Sequence, residues 1–146
     1  MPTDRYPWRA VIRFQPSSEG ADVAGDSARR VDKPWGHEII WAQTDRYVGK
    51  VISIDPGKRL SLQKHLKKDE SVLVIRGTLR LHLENDEGVV EIHDLAPGEN
   101  RRVPVGRIHR FEAVDETVEV VEVSTPELDD VVRLEDDFNR EGTNAP

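Results

Sequence analysis

The chain has 146 residues, the size of one domain, and it is long enough to bury a hydrophobic core without staples. It contains no cysteine, which excludes disulfides and thiolate metal sites. The net charge is −7, with seven acids and two arginines in residues 127 to 146, and this balance argues against a nucleic-acid partner. The chain has neither an apolar run of membrane-spanning length nor a signal-peptide core at its start. We therefore expect a cytoplasmic protein with no membrane segment.

The first 30 residues differ from the rest, and we interpret them as an N-terminal arm or linker. The stretch "QPSSEGADVAGDSARR" is rich in small and charged residues and has no sustained apolar period. Before it, residues 8–14 read "WRAVIRF", an apolar patch that we expect to pair as an edge strand or arm. We assign residues 31–140 to one domain and residues 141–146 to a tail.

From residue 31 onward, short β-branched runs alternate with turn signals such as Asp-Pro-Gly and Ala-Pro-Gly. Seven such runs at close spacing predict an all-β sandwich or barrel. They are "YVGKVISI", "SVLVIRG", "TLRLHLE", "VVEIHDL", "RRVPVG", "RIHRFEAV" and "TVEVVEVS". For the acidic stretch "DDVVRLEDDF" we expect a short helix or an extended segment that packs across the outside of the domain.

The stretch "SLQKHLKKDE", residues 61–70, carries the strongest functional signal. If residues 59–65 form a strand, Arg59, Ser61, Gln63 and His65 lie on one face, because alternate strand residues share a face. Polar residues gathered on one face are typical of a concave site. Arg59 and Ser61 are then candidates for binding a sugar hydroxyl or a phosphate.

Glu70 follows a short basic link, and His109 lies further on in "GENRRVPVGRIHR". On neighbouring strands, these segments would bring Gln63, His65, Glu70 and His109 together. Two imidazoles, a carboxylate and an amide oxygen suit one divalent ion per chain, with zinc first and iron, nickel, cobalt or manganese as alternatives.

These segments resemble the two cupin motifs, and most closely the cupin domain of type II mannose-6-phosphate isomerases. The likeness rests on the stretches "KPWG", "GKRLSLQKH", "PVGRIHR" and "VVEVSTPELDDVVRLEDDF" and on Asn139-Arg140. Most cupins have histidine where this chain has Gln63, whereas the isomerase family has glutamine among its metal ligands. The resemblance implies a cupin jelly-roll barrel with an N-terminal extension and an acidic C-terminal tail. Larger members carry a nucleotidyltransferase domain before the cupin, which residues 1–30 cannot encode, so we expect no guanylyl transfer.

The resemblance also implies metal-dependent interconversion of mannose 6-phosphate and fructose 6-phosphate, or of a related aldose and ketose. Such a reaction requires a base near the carbon-bound proton. Lys50 shares a strand face with apolar residues, and Glu122 shares one with Val118 and Val120, so both are inward candidates for catalysis. Lys50 would act as the base or as an anchor for an anion.

Two other functions remain open at this stage. One is a non-catalytic metal-binding cupin that holds a sugar or sugar phosphate, and the other is a different small-molecule cupin enzyme. We also expect a homodimer, because Leu60 and Leu62 point away from the predicted pocket and the patch at residues 8–14 could add a strand to a neighbour.

Overall fold

A computed structural model describes residues 27–143, and all of the regular structure in this range is β-strand. Twelve strands follow one another in chain order. They are β1 (Arg29–Lys33), β2 (Gly36–Gln43), β3 (Val48–Ile54), β4 (Leu62–Lys64), β5 (Glu70–Arg76), β6 (Leu79–Glu84), β7 (Val90–Leu95), β8 (Asn100–Val103), β9 (His109–Glu112), β10 (Val118–Ser124), β11 (Val132–Glu135) and β12 (Gly142–Thr143).

The strands form two six-stranded sheets with antiparallel pairing. The first sheet has the order β1-β2-β3-β10-β5-β8, and the second has the order β12-β11-β4-β9-β6-β7. Chain neighbours such as β5 and β6 lie in different sheets, as in a double-sheet jelly roll. The predicted all-β class is confirmed, and each of the seven predicted runs overlaps one strand, with β5 and β8 beginning one residue before their runs.

The hydrophobic core lies between the two sheets. Val120 on β10 and Leu81 on β6 are fully buried, one in each sheet. Alternate residues of these strands face inward, so the β-branched runs seen in the sequence become one side of a shared core.

The hairpin of β1 and β2 was not among the predicted runs. It turns at "KPWG", where Trp35 enters the core with 3% of its surface exposed. Gly36 has a φ of +146°, and a Cβ atom there would lie 2.1 Å from the carbonyl oxygen of Ser53. This close approach of two backbones explains why glycine follows the tryptophan.

The acidic C-terminal segment is extended, which was one of the two predicted alternatives, but its place differs from the expectation. Instead of packing across the outside, residues 132–135 form β11, which pairs with β4 and extends the second sheet. The reason is that β4 would otherwise leave unpaired backbone groups at the sheet edge. β12, which begins at Gly142 in the predicted tail, pairs in turn with β11.

Two further expectations concern the N-terminal arm and membrane-spanning segments. The patch at residues 8–14 lies outside the described residues. β1 begins at Arg29, within the segment that was assigned to the arm. Within residues 27–143, no helix has the length and hydropathy needed to cross a bilayer.

Candidate metal centre and its charged cavity

Three strands bring the predicted ligands together at one end of the core. Gln63 on β4 is the register partner of His109 on β9, so the two side chains start from the same face of the second sheet. Glu70 begins β5 in the first sheet and faces them across the interior. The sequence motifs therefore meet between the sheets, at the site where a jelly roll encloses its ligand.

His65, Glu70 and His109 form a buried group whose ligand atoms all lie within 4.8 Å of one another. His109 Nε2 is 3.0 Å from Glu70 Oε1, and His65 Nε2 is 3.5 Å from Glu70 Oε2. Each of the three residues is at most 4% exposed. The carboxylate is thus placed between two imidazoles, as a shared metal ion requires.

Backbone contacts select which imidazole nitrogen faces the site. His65 Nδ1 lies 2.5 Å from the carbonyl oxygen of Asp130, and His109 Nδ1 lies 2.9 Å from that of Arg107. A carbonyl only accepts, so each Nδ1 carries the proton and each Nε2 presents a lone pair.

Neither Nε2 has a hydrogen-bond partner among the described residues. Two lone pairs and a carboxylate therefore converge at buried positions. A divalent cation stabilises such an arrangement, because it supplies the positive charge that the uncharged residues around it lack. The donor set matches the two histidines and one glutamate that zinc takes at sites with an open coordination position. The residues present fit a metal ion.

Gln63 lies beside this group, but its amide oxygen already has a partner. The Ser61 hydroxyl, 1% exposed, donates to Gln63 Oε1 at 2.6 Å. Ser61 lines the cavity, and its hydroxyl orients the Gln63 amide, so its role in binding substrate stays a prediction. The role of Gln63 as a fourth ligand stays a prediction.

A chain of alternating buried charges runs from the metal group into the first sheet. Lys68 Nζ lies 2.7 Å from Glu70 Oε2 and 2.9 Å from Glu122 Oε1. Lys50 Nζ then lies 3.6 Å from Glu122 Oε1 and 3.1 Å from Glu38 Oε1. Each lysine is thus held between two carboxylates.

The pKa values of this chain follow from burial and charge. Burial alone would lower the pKa of Lys68, but Glu122 and Glu70 outweigh it and raise the pKa above its ordinary value. Burial alone would likewise raise the pKa of Glu70, but the charge of the Lys68 ammonium holds it well below its usual value. Both groups are therefore charged at neutral pH.

Two turns hold the ligands in place. The Gly106 N–H donates to the carbonyl oxygen of His65 at 2.8 Å, and Gly106 adopts a positive φ of +83°. This bond ties the turn before β9 to the end of β4. On the other side, the Asp130 carboxylate accepts the backbone N–H groups of residues 66–68. Asp130 thus supports both His65 and the loop that carries Lys68.

Of the other predicted site residues, Lys50 and Glu122 line the cavity and Arg59 does not. Arg59 Nε donates instead to Asp137 Oδ2 at 2.7 Å on the outside of the domain. The predicted strand was too long at its start, since β4 begins at Leu62 and the alternation of faces does not extend back to residue 59. For the same reason Leu60 is buried in the core and lines the cavity, so it offers no surface to a second subunit.

The sequence reasoning missed seven charged residues that line the same cavity of about 260 Å³. They are Arg29, Lys33, Glu38, Lys68, Asp129, Arg133 and Arg140. The alternation of residues could have found Glu38, since it lies on the same strand face as the buried Ile40. Arg133 needed the pairing of β11 with β4, which no local pattern indicates.

The fold has many counterparts among solved structures. The oxalate decarboxylase of Bacillus subtilis superposes with a TM-score of 0.66 at 18% identity, over 82% of this chain and 34% of that one. KdgF from Halomonas superposes with a TM-score of 0.58 at 22% identity, over 67% of this chain and 87% of that one. Two sheets in jelly-roll order around a His–Glu–His group define a cupin, and the predicted class is confirmed.

Sequence comparison places the chain more narrowly. The family model described as "Mannose-6-phosphate isomerase C-terminal" matches residues 21–136, and the chain belongs to this family. The mannose-1-phosphate guanylyltransferase ManC of Salmonella typhimurium is 34% identical over 77% of this chain. The alginate biosynthesis protein AlgA of Pseudomonas aeruginosa is 29% identical over 75% of it. The chain spans only 23% of the length of each of these relatives.

These relatives correct the predicted activity. Their names describe a nucleotidyltransferase acting with mannose 1-phosphate, so the prediction of a mannose-6-phosphate isomerase is wrong. The family description names an isomerase, but membership of the family does not by itself show that this chain has isomerase activity. We also withdraw the expectation of no guanylyl transfer. It was based only on the short stretch of sequence before the cupin domain, and the position at which this chain begins is no evidence about activity.

Proposed function

We propose that this chain is the metal-binding cupin part of an enzyme that handles a mannose phosphate, and that the sugar binds in the cavity beside the metal. His65, Glu70 and His109 would hold the ion, with zinc as the first choice and Gln63 as a fourth ligand. The substrate class rests on the names of the relatives, which refer to mannose 1-phosphate.

A single observation carries the proposal. The two imidazole Nε2 atoms and the Glu70 carboxylate converge while each Nδ1 is engaged by a backbone carbonyl. When bound, a divalent ion there would supply Lewis acidity toward a hydroxyl or carbonyl oxygen. A sugar offers oxygens of this kind in quantity, whereas an apolar ligand offers none.

The buried lysines have distinct tasks beside the metal. Lys68 neutralises Glu70 and Glu122 together, and it therefore fixes the orientation of the ligand carboxylate. Lys50, held by Glu38 and Glu122, presents a second ammonium to the same cavity. Lys50 is suited to hold an oxygen that becomes negative, because a buried ammonium interacts strongly with such an oxygen.

Elemental analysis of the purified protein tests the metal site, followed by calorimetric titration with mannose 1-phosphate and mannose 6-phosphate. We expect about one ion per chain, and we expect sugar-phosphate binding that requires it. The double variant His65→Ala plus His109→Ala should lose both. His93→Ala is the matched control, because His93 lies on β7 outside the cavity.

Equal metal content in the double variant and the control would show that the ion, if any, binds elsewhere. Metal binding without any response to either sugar phosphate would retain the centre and reject the ligand. A homodimer and a cytoplasmic location remain predictions of the sequence, and light scattering at micromolar concentration tests the first of them.

A further inference from the structure

Arg133 occupies a specific place in the second sheet. It is the register partner of Gln63 on β4, and Gln63 is the partner of His109 on β9. Directly paired residues point to the same face of an antiparallel sheet, so Arg133 belongs to the row that carries the metal group. On its other side Arg133 pairs with Gly142, where a Cβ would meet nothing within 4 Å. The row of paired residues His109, Gln63 and Arg133 therefore has open space beside its arginine.

The guanidinium of Arg133 lacks the partner that its surroundings demand. Its Nε and Nη1 atoms are buried and have no hydrogen-bond partner among the described residues. Burial, together with repulsion from Arg140, lowers the pKa of Arg133. Arg140 differs in this respect, because Asp136 accepts bonds from its Nε and Nη2 atoms at 2.8 and 3.0 Å.

Cations outnumber acids in the lining of the cavity that Arg133 shares. Arg29 and Lys33 on β1 line the same space, and among residues 27–143 the exposed Asp129 is the one acid there that belongs neither to the buried chain of charges nor to the metal group. An unpaired guanidinium that is aimed into a cationic cavity favours an anion with several acceptor oxygens. A phosphate monoester has this chemistry.

We propose that Arg133, two strands away from His109 in the same sheet, anchors the phosphate group of the ligand, with Lys33 and Arg29 in the lining of the same cavity. The inference rests on the proposed function. The sugar of the ligand would bind at the metal, and its phosphate would bind at Arg133. Two inter-strand spacings, about 10 Å in all, separate the backbone of Arg133 from that of His109. This distance suits a hexose whose ring oxygens face the metal while its phosphate reaches the arginine.

Calorimetry on the metal-loaded protein in a phosphate-free buffer tests the assignment. The ligands are mannose 6-phosphate, mannose 1-phosphate, unphosphorylated mannose and inorganic phosphate. The variants are Arg133→Gln, Arg133→Lys and, as matched control, Arg76→Gln, which removes an exposed arginine at the end of β5. Metal content and thermal midpoint are measured for each variant.

We expect Arg133→Gln to weaken every phosphate ligand about 10-fold or more, since a hydrogen bond to a charged group is lost. Mannose binding and metal content should be unchanged. Arg133→Lys should fall between, because an ammonium keeps the charge and loses the two-pronged geometry. If Arg133→Gln binds the phosphate ligands as tightly as Arg76→Gln does, the assignment is overturned.

The inorganic phosphate arm separates this inference from the proposed function. If neither sugar phosphate binds the wild type, the proposed function fails, and the Nε–H resonance of Arg133 still reports on the anion site by NMR. A phosphate-dependent shift of that resonance, absent in the Arg133→Gln spectrum and present with Arg76→Gln, would support an anion site without the sugar. An unresponsive resonance would reject the anion site itself.

Discussion

The two ends of the cavity treat buried charge in opposite ways. At the metal end, Lys68 lies within ion-pair distance of two carboxylates, and Glu70 faces both a lysine and two imidazoles. At the arginine end, which comprises Arg133 and the cations beside it, the Arg133 guanidinium has buried nitrogens with no partner among the described residues. At one end each lysine lies beside carboxylates, and at the other the Arg133 guanidinium has no such neighbour within the part of the chain that the structure describes.

The difference separates charges that support the fold from charges that await a ligand. Ion pairs inside a protein offset the loss of hydration only when the geometry and the number of partners are favourable. Lys68 meets that condition and therefore belongs to the fold. Arg133 does not meet it, and an incoming anion would supply the missing partner. The four predictions below test this contrast.

The largest effect should follow from Lys68→Met, which leaves Glu70 and Glu122 buried without their shared cation. Removal of one member of a buried ionic group typically destabilises a protein by about 3–5 kcal/mol. We expect a loss of this order in the free energy of unfolding, measured by urea denaturation with a chelator present. Added metal should recover part of the loss, because the ion also neutralises Glu70.

Lys67→Met is the matched control, since Lys67 is the exposed neighbour in the same loop. Its free energy of unfolding should change by no more than about 0.5 kcal/mol. Equal stability of the two variants would show that the charge chain at the metal end is not structural.

The second effect concerns Asp136, which forms an ion pair with Arg140. Arg140 is therefore the arginine that has a carboxylate partner at the arginine end of the cavity. Burial would raise the pKa of Asp136, but the bonds from Arg140 outweigh it and hold the pKa below its usual range. The stabilisation is therefore complete above the unfolded pKa of about 3.9 and is lost as the pH falls toward the folded value. We expect Asp136→Asn to lower the free energy of unfolding by roughly 2 kcal/mol at pH 7.

Urea denaturation of Asp136→Asn and of the wild type at several pH values checks the sign. The difference between them should be constant from pH 7 to about pH 5 and should shrink below about pH 4. A difference that grows on acidification would contradict the assignment of the Asp136–Arg140 pair.

The third effect tests whether the metal end includes Gln63. We expect Gln63→Ala to weaken zinc binding more than Ser61→Ala, which should show the roughly 10-fold loss typical of a removed supporting bond. Competition with a chromophoric chelator measures both affinities. If Gln63→Ala binds zinc as tightly as the wild type, the centre consists of the two histidines and Glu70 alone.

The smallest effect should come from Arg133→Gln, in contrast to Lys68→Met. In chloride buffer the variant should unfold at the same free energy as the wild type or about 0.5 kcal/mol higher, because it relieves burial of an unmatched cation beside Arg140. Phosphate at ten times its dissociation constant should then stabilise the wild type by about 1.4 kcal/mol and the variant by less. A large destabilisation in chloride would mean that Arg133 already has a partner.

Local patterns were sufficient for much of the molecule. The strand class followed from β-branched runs and turns, because strand formation depends on short stretches of chain. The meeting of His65, Glu70 and His109 was also predicted from motif spacing, since each ligand lies next to a strand end or a turn whose position the sequence marks. The buried positions of Lys50 and Glu122 followed from their apolar strand-mates.

Pairing between distant segments was decided only by the tertiary structure. Nothing local indicates that β11 would pair with β4 and set Arg133 beside Gln63, since register between strands about 70 residues apart depends on which edge remains unpaired. The same holds for Arg59. Strand alternation predicts that its side chain enters the cavity, but Asp137, far along the chain, binds it on the outside of the domain. The sequence by itself determined the all-β class and the meeting of His65, Glu70 and His109, because these depend on short stretches of chain. Long-range pairing decided which of the other charges meet an opposite charge and which, like Arg133, have none among the described residues.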